Sequence, residues 1–300
     1  MAQENAPVTL NKNLLILHFT VFIWGFTGIL GALITISAAQ LVWYRVLIAA
    51  VTLFLYFKFN KTDFRVGQKV FLQLLFTGAL VASHWILFFL SIKLSTVSVA
   101  LVCFSSLTLF TAILEPLINK KRISKLEIIS GILIIIGIIV IFQFETKYTK
   151  GIIAGLACAV FSSLFSIINA RYVKTYQAPV IAFYELSGAF LWVSIFLAFT
   201  NGYTKALLLH RADIGYLVLL GTICTSVAYV AGVSVMRELS AFRVALVTNL
   251  EPVYGIILSF AFFGDMNKMT TGFWIGALIV LSTIFLFPVA QKQVEKRRKA

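Results

Sequence analysis

Ionisable side chains are rare inside the apolar runs of this 300-residue chain, so each one there is a candidate for chemistry. A charge at the centre of a bilayer costs about 2.5–3.5 kcal/mol on insertion scales, and a residue kept there needs a reason. Arg45, His84, Glu185 and Glu251 are the deep ones. Arg45 stands early in the second apolar run and Glu185 at the matching place in the seventh. A guanidinium there can face a carboxylate or phosphate of a bound solute. The ordinary alternative for both residues is to snorkel or to cap a neighbouring backbone group. His84 is mid-run in the third, either a buried imidazole satisfied by a serine or carbonyl, or a cavity donor and proton carrier. Glu251 is mid-run in the ninth, with Asn249 beside it and Pro252 after it. Proline removes an amide donor and frees the carbonyl of Thr248. In lipid such a loosened turn survives only against protein or a cavity. A carboxylate, an amide and a loosened turn at mid-depth suit a solute site, with a plain packing kink as the competing reading. Ser105 and Thr108 share a helix face with Glu115, but such hydroxyls often bond back to their own helix. Glu115 and His18 lie near run ends and read as interfacial.

The elements that carry these residues follow from composition. Hydrophobic residues make up 60%, charged residues 12%, and the mean hydropathy is +0.98. A soluble domain is about 45–50% apolar and about 25% charged. A soluble enzyme, a disordered chain and a DNA-binding domain are therefore excluded. Cys103, Cys158 and Cys224 all lie within apolar runs, so no disulfide framework is implied. GxxxxGK[ST], HExxH, GxSxG and CxxC are absent, and no second ligand stands four residues from His84. No cofactor, metal site or enzymatic activity is expected. An intramembrane enzyme and a channel are the rival classes, told apart by substrate cleavage or ohmic current rather than saturable flux.

A bilayer core needs about 20 apolar residues per helix. Ten segments qualify: Leu14–Ile36, Ala39–Phe59, Val70–Ile92, Thr96–Ile118, Leu126–Phe144, Gly151–Ala170, Pro179–Phe199, Ile214–Val235, Ala241–Phe263 and Gly272–Phe287. The first is too long for the apolar core of a signal peptide, so cleavage is not expected. Both termini and the even-numbered loops carry 18 Lys and Arg; the odd-numbered loops carry six, Lys93, Lys147, Lys150, Lys205, Arg211 and Lys268. By the positive-inside rule both termini are cytoplasmic, in a multi-pass protein of the cell (inner) membrane. The net charge of +14 is thereby accounted for with no nucleic-acid partner. The tail Lys296-Arg297-Arg298-Lys299 reads as a cytoplasmic anchor.

Residues 94–142 align without gaps on 239–287 at an offset of 145. Leu94-Ser95 meets Leu239-Ser240, Val99-Ala100-Leu101-Val102 meets Val244-Ala245-Leu246-Val247, and Gly131 meets Gly276. Upstream the offset is 140, where Tyr44 meets Tyr184. The chain reads as two five-helix repeats, over 1–146 and 147–300. Five is odd, so the second repeat is inverted, and folds of this kind place a solute site near the midplane between halves that rock. Small-residue patterns at Gly25, Gly28, Gly31, Gly151–Gly155 and Gly272–Gly276 read as contacts within one chain, which is expected to be a monomer.

On these residues the chain resembles the drug/metabolite transporter superfamily, and within it the EamA-type ten-helix exporters. Trp24-Gly25, the Leu-Ser-x3-Val-Ala-Leu-Val openings of the fourth and ninth helices, and Leu250-Glu251-Pro252-Val253-Tyr254 with Phe263-Gly264-Asp265 carry the likeness. The Gly-x-Leu-Ile pattern of the fifth and tenth helices completes it. Ser106-Leu107-Thr108 departs from it where the family often has proline, and Asn119-Lys120-Lys121 replaces a usual Gly-Glu. The resemblance implies an all-α polytopic fold, ten transmembrane helices as two inverted repeats around a central cavity, with the fifth and tenth peripheral. It implies export of a small organic metabolite, an amino acid or relative; a drug or other solute permease is the alternative. The expected site comprises Trp24, Arg45, His84, Trp85, Tyr184, Glu185, Tyr229, Asn249 and Glu251. The expected partners are a small-molecule substrate, the lipid bilayer and protons.

Overall fold

The computed structural model describes residues 12–120, 125–203, 209–264 and 269–299. Of the residues singled out above, Lys121, Arg122, Lys205, Asp265 and Lys268 lie outside them, as do the side chains of Lys125 and of the tail cations in 292–299. The described residues are helical and contain no strand: α1 (Lys12–Leu33), α2 (Ala38–Asn60), α3 (Gln68–Leu94), α4 (Val97–Phe104), α5 (Leu107–Asn119), α6 (Lys125–Phe144), α7 (Thr149–Tyr172), α8 (Ala178–Phe199), α9 (Arg211–Gly221), α10 (Ala228–Val235), α11 (Ala241–Thr248), α12 (Glu251–Phe263) and α13 (Thr271–Lys299). Among the described residues, eight segments are long and apolar enough to cross a bilayer, counting α4–α5, α9–α10 and α11–α12 each as one. Shorter apolar stretches in α6 (Ile129–Ile141) and α13 (Thr271–Thr283) complete ten. The protein is thus an all-α polytopic membrane protein of two inverted five-helix repeats.

Local sequence sets the ends of these helices. Ser37 and Gln40 form a reciprocal capping box at the start of α2, its amides at 3.3 and 3.2 Å from the opposing side-chain oxygens. Thr96 and Ser240 cap α4 and α11, each accepting an amide three residues on at 3.2 Å. Lys61, Lys120 and Gly264 close α2, α5 and α12 in the left-handed region.

Three spans that read as continuous in sequence are not. The fourth breaks at Ser105–Ser106 and the ninth at Asn249–Leu250. These breaks coincide in the repeat register, where Ser105 meets Leu250. In the ninth, Pro252 denies the Thr248 carbonyl its donor. In the fourth, serine hydroxyls do the equivalent: Ser105 Oγ donates to the Leu101 carbonyl at 3.2 Å and Ser106 Oγ to the Cys103 carbonyl at 2.7 Å. The eighth span widens into a π-helical segment, Thr222–Val227.

The principal helix pairs each join the first five spans to the last five: α3 with α7 and α8, α6 with α13, α2 with α8, and α1 with α12. Glycines set two of the closest approaches. A Cβ on Gly188 would lie 2.5 Å from the Leu75 carbonyl, and one on Gly78 2.5 Å from the Glu185 carbonyl, so α3 and α8 meet backbone to backbone. Ile132, Ile135, Ile136 and Ile139 of α6 and Ile275 and Leu278 of α13 are exposed. This pair stands at the edge of the bundle, facing outward as expected.

Candidate functional site

A cavity of about 70 Å³ lies between the halves. Its walls come from α1, α2, α3, the α4–α5 break, α7, α10 and the α11–α12 break. Of the nine expected site residues, the structure brings six to its wall: Trp24, Arg45, His84, Trp85, Tyr229 and Glu251.

Arg45 does not snorkel. It is 1% exposed and turned inward. Its Nε donates to Thr225 Oγ1 at 2.6 Å, Nη2 reaches the Cys224 carbonyl at 3.5 Å, and the guanidinium lies 4.1 Å from the centroid of the Trp85 ring. Nη1 has no partner. The π segment explains this seat. Thr225 Oγ1 donates to the Leu220 carbonyl at 2.6 Å and Ser226 Oγ to the Gly221 carbonyl at 3.0 Å, each five residues back. With its hydrogen thus engaged, the Thr225 hydroxyl presents a lone pair to Arg45, and the widened turn brings the Cys224 carbonyl within reach.

His84 lies between the Phe104 and Phe165 rings, at 5.4 Å from each centroid. Its Nδ1 is 3.2 Å from the Cys158 carbonyl, to which an N–H would donate, and 3.1 Å from the Cys158 thiol. The imidazole is therefore both satisfied by a carbonyl and part of the cavity wall. Glu251 opens α12 and is 5% exposed. No hydrogen bond holds its carboxylate among the described residues, and it forms no ion pair with Arg45 across the shared cavity.

The other three expected residues lie elsewhere. Glu185 sits one hydrogen bond behind the wall: its Oε2 accepts from Tyr229 Oη at 2.8 Å and from Asn169 Nδ2 at 3.1 Å. Asn249 is buried and donates to Thr108 Oγ1, joining the two broken spans. Tyr184 points away, its hydroxyl donating to the Phe64 carbonyl at 3.0 Å in the α2–α3 connection. Ser162, Ser166 and Asn169 of α7 line the cavity and were not anticipated. Their spacings of four and three place them on one helical stripe, the sequence signal that could have found them. Glu115, near the end of α5, accepts the Phe242 amide at 2.8 Å and so fixes the start of α11.

Matching clasps close the two faces of the bundle. On the face of the odd-numbered loops Lys93 Nζ, ending the third span, donates to the Ile34 carbonyl, ending the first, at 2.9 Å. Asp213 reinforces it by accepting Thr35 Oγ1 at 2.7 Å and the Thr35 amide at 3.1 Å. On the opposite face Arg237 Nε, ending the eighth span, donates to the Val173 carbonyl, ending the sixth, at 3.1 Å. These are equivalent places in the two repeats. Lys174 Nζ adds a bond to the Arg237 carbonyl.

Comparison with known proteins agrees with this arrangement. The family model described as "EamA-like transporter family" matches twice, over residues 11–143 and 149–288. No curated protein matches the chain. One solved crystal structure superposes with a TM-score of 0.70 over 93% of this chain and 98% of that one, at 14% identity, a likeness that speaks for the fold alone.

Proposed function

Because the chain belongs to the EamA-like transporter family, and is by that membership a membrane transporter of the drug/metabolite type, we propose that it exports a small zwitterion, an amino acid or close relative. The observation that carries this reading is the pair Arg45 and Glu251. They are a guanidinium and a carboxyl group on one cavity wall, with no ion pair between them among the described residues. A buried charge left unpaired is costly. A solute with a carboxylate toward Arg45 and an ammonium toward Glu251 would satisfy both. The unpartnered Nη1 of Arg45 is the donor left over for that carboxylate. Between them Trp24, Trp85, Phe88, Phe104 and Phe165 offer an apolar, aromatic wall to the solute's side chain.

Transport is by alternating access. The two clasps are the natural gates: the repeats are inverted, so loosening one end while the other stays closed exchanges the two states. The charge asymmetry between the faces supports a cytoplasmic placement of both termini. The chain acts as a monomer, its two halves supplying a complete cavity.

Efflux of radiolabelled leucine from preloaded proteoliposomes tests the reading against two relatives that each lack one charge, leucinamide and 4-methylpentanoate. Saturable leucine efflux, competed by neither analogue, is expected. Equal competition by both would show that the cavity reads only the apolar part, and the zwitterion reading would be abandoned.

A further inference from the structure

We propose that Glu185, with Asn169 and Tyr229, forms a proton-binding site distinct from the solute site and coupled to it; the inference rests on the transporter reading above. Glu185 is 0% exposed, and among the described residues no hydrogen bond or ion pair from a cation reaches its carboxylate. Its two hydrogen-bond partners are an amide and a phenol, both of which can donate or accept. Glu185 Oε1 and Asn169 Oδ1 are both left without a partner. Burying a lone carboxylate among helices is expensive, and binding a proton relieves that cost.

The trio suits both states of the acid. With Asn169 Nδ2 toward Glu185, as seen here, the amide donates to a carboxylate. Turning the amide about its last bond puts Oδ1 there instead, to accept the hydrogen of a carboxylic acid. No backbone movement is needed. Asn169 Nδ2 also lies 3.2 Å from Tyr229 Oη, so the three groups form a closed triangle.

Asn169 and Tyr229 line the cavity, whereas Glu185 does not. The proton step can therefore run through Tyr229: its hydroxyl hydrogen passes to Glu185 Oε2 while the phenol oxygen takes a hydrogen from a protonated cavity water. The water is left neutral and the phenol unchanged, and release reverses the step. Glu251, on the wall itself, is left to the solute. The repeat register adds a second reason. Glu185 is the inverted mate of Arg45, at the offset of 140, so one half turns its buried charge into the cavity and the other holds its own behind the wall.

Other ionisable groups around Glu185 do not neutralise it. Tyr172 of α7 is within electrostatic reach. From α3 the backbone of Gly78 abuts the Glu185 carbonyl. The ionisable groups that α2 and α3 bring to the cavity, Arg45 and His84, are engaged by Thr225 and Cys158. On α10 the facing group is Tyr229 itself.

Two measurements on the full-length protein in lipid test the proposal. The first is infrared difference spectroscopy across a pH titration. A carbonyl stretch of a protonated carboxyl should be present, vanish at alkaline pH, and be missing in Glu185→Gln. It should return in Glu185→Asp and shift in Tyr229→Phe, which loses a hydrogen bond to that group. A band unchanged in Glu185→Gln would assign it to another carboxyl and overturn the proposal. The second is leucine accumulation in proteoliposomes under an imposed pH step. The wild type and Glu185→Asp should accumulate leucine, and the accumulation ratio of Glu185→Gln should fall to unity. Accumulation at the parental ratio in Glu185→Gln would equally overturn it. If the wild type moves no leucine at all, the solute reading fails and the infrared result alone decides Glu185.

Discussion

Arg45 is the residue on which the proposed solute site turns. Three separate features hold it: a hydroxyl lone pair from the π segment, a carbonyl from the same turn, and the face of Trp85. Only Nη1 remains to be used. Hydrogen bonds to a charged group contribute about 1.5–3 kcal/mol. Arg45→Ala should therefore raise the half-saturating leucine concentration by roughly 10–150-fold while leaving membrane insertion intact. Arg45→Lys should not restore it, because a compact ammonium lacks the planar fork that rests on Trp85 while reaching Thr225, the Cys224 carbonyl and the solute at once. Glu251→Gln should weaken transport comparably. His84→Ala should have a smaller effect, since its imidazole already has the Cys158 carbonyl as partner. Concentration-dependent efflux for each variant, normalised to inserted protein, is the measurement. Parental kinetics in both Arg45→Ala and Glu251→Gln would remove these residues from the site.

Among the elements, the informative ones are those that depart from regular helix. Breaks in the fourth and ninth spans fall at the same repeat position by different chemistry, back-bonding serines in one and a proline in the other. Both are buried against protein at the cavity, where a loosened backbone is tolerable in lipid. The seam between α3 and α8 has the opposite character. There two glycines let backbones touch, and nothing at the contact can yield, because the atoms met by a new Cβ are main-chain ones. Gly188→Ala and Gly78→Ala should each destabilise the protein by about 1–3 kcal/mol through overpacking. A clear fall in melting temperature in detergent is expected for both. Gly67→Ala, where a Cβ meets nothing within 4 Å, is the control and should melt as the parent does.

For the whole molecule, the inverted repeat makes a symmetric prediction. Lys93→Met should loosen the odd-loop face, and Arg237→Met the even-loop face. A cysteine placed on the cavity wall at Ser162, in a background with Cys103, Cys158 and Cys224 replaced, reports which way the cavity opens. Lys93→Met should speed its labelling by a membrane-impermeant thiol reagent added from the odd-loop side, and Arg237→Met from the other. Equal labelling of both variants from both sides would mean that the clasps are not gates. The same preparation in cells, with reagent added outside, places the odd-numbered loops. Labelling from outside in Arg237→Met rather than Lys93→Met would contradict cytoplasmic termini.

Membership of the membrane, the count of spans, the repeat and the four deep ionisable residues were all legible in the sequence. Each rests on something one-dimensional: apolar run length, a gapless register between 94–142 and 239–287, or a charge inside an apolar run. Which side of a helix faces the cavity is a different kind of fact. In a soluble protein the apolar stripe marks the buried side, but here lipid-facing and core-facing positions are both apolar, and the stripe is erased. Tyr184 and Tyr229 therefore looked alike, and only packing sent one toward the α2–α3 connection and the other to the cavity. Helical facing was recoverable only where polar residues mark a stripe, as Thr248 and Glu251 do in the ninth span and Ser162, Ser166 and Asn169 in α7. The π turn that seats Arg45 depends on where α2 meets the eighth span, and the separation of Glu185 from Glu251 depends on which helices stand between each carboxylate and the cavity. Both are consequences of three-dimensional contact, which decided them.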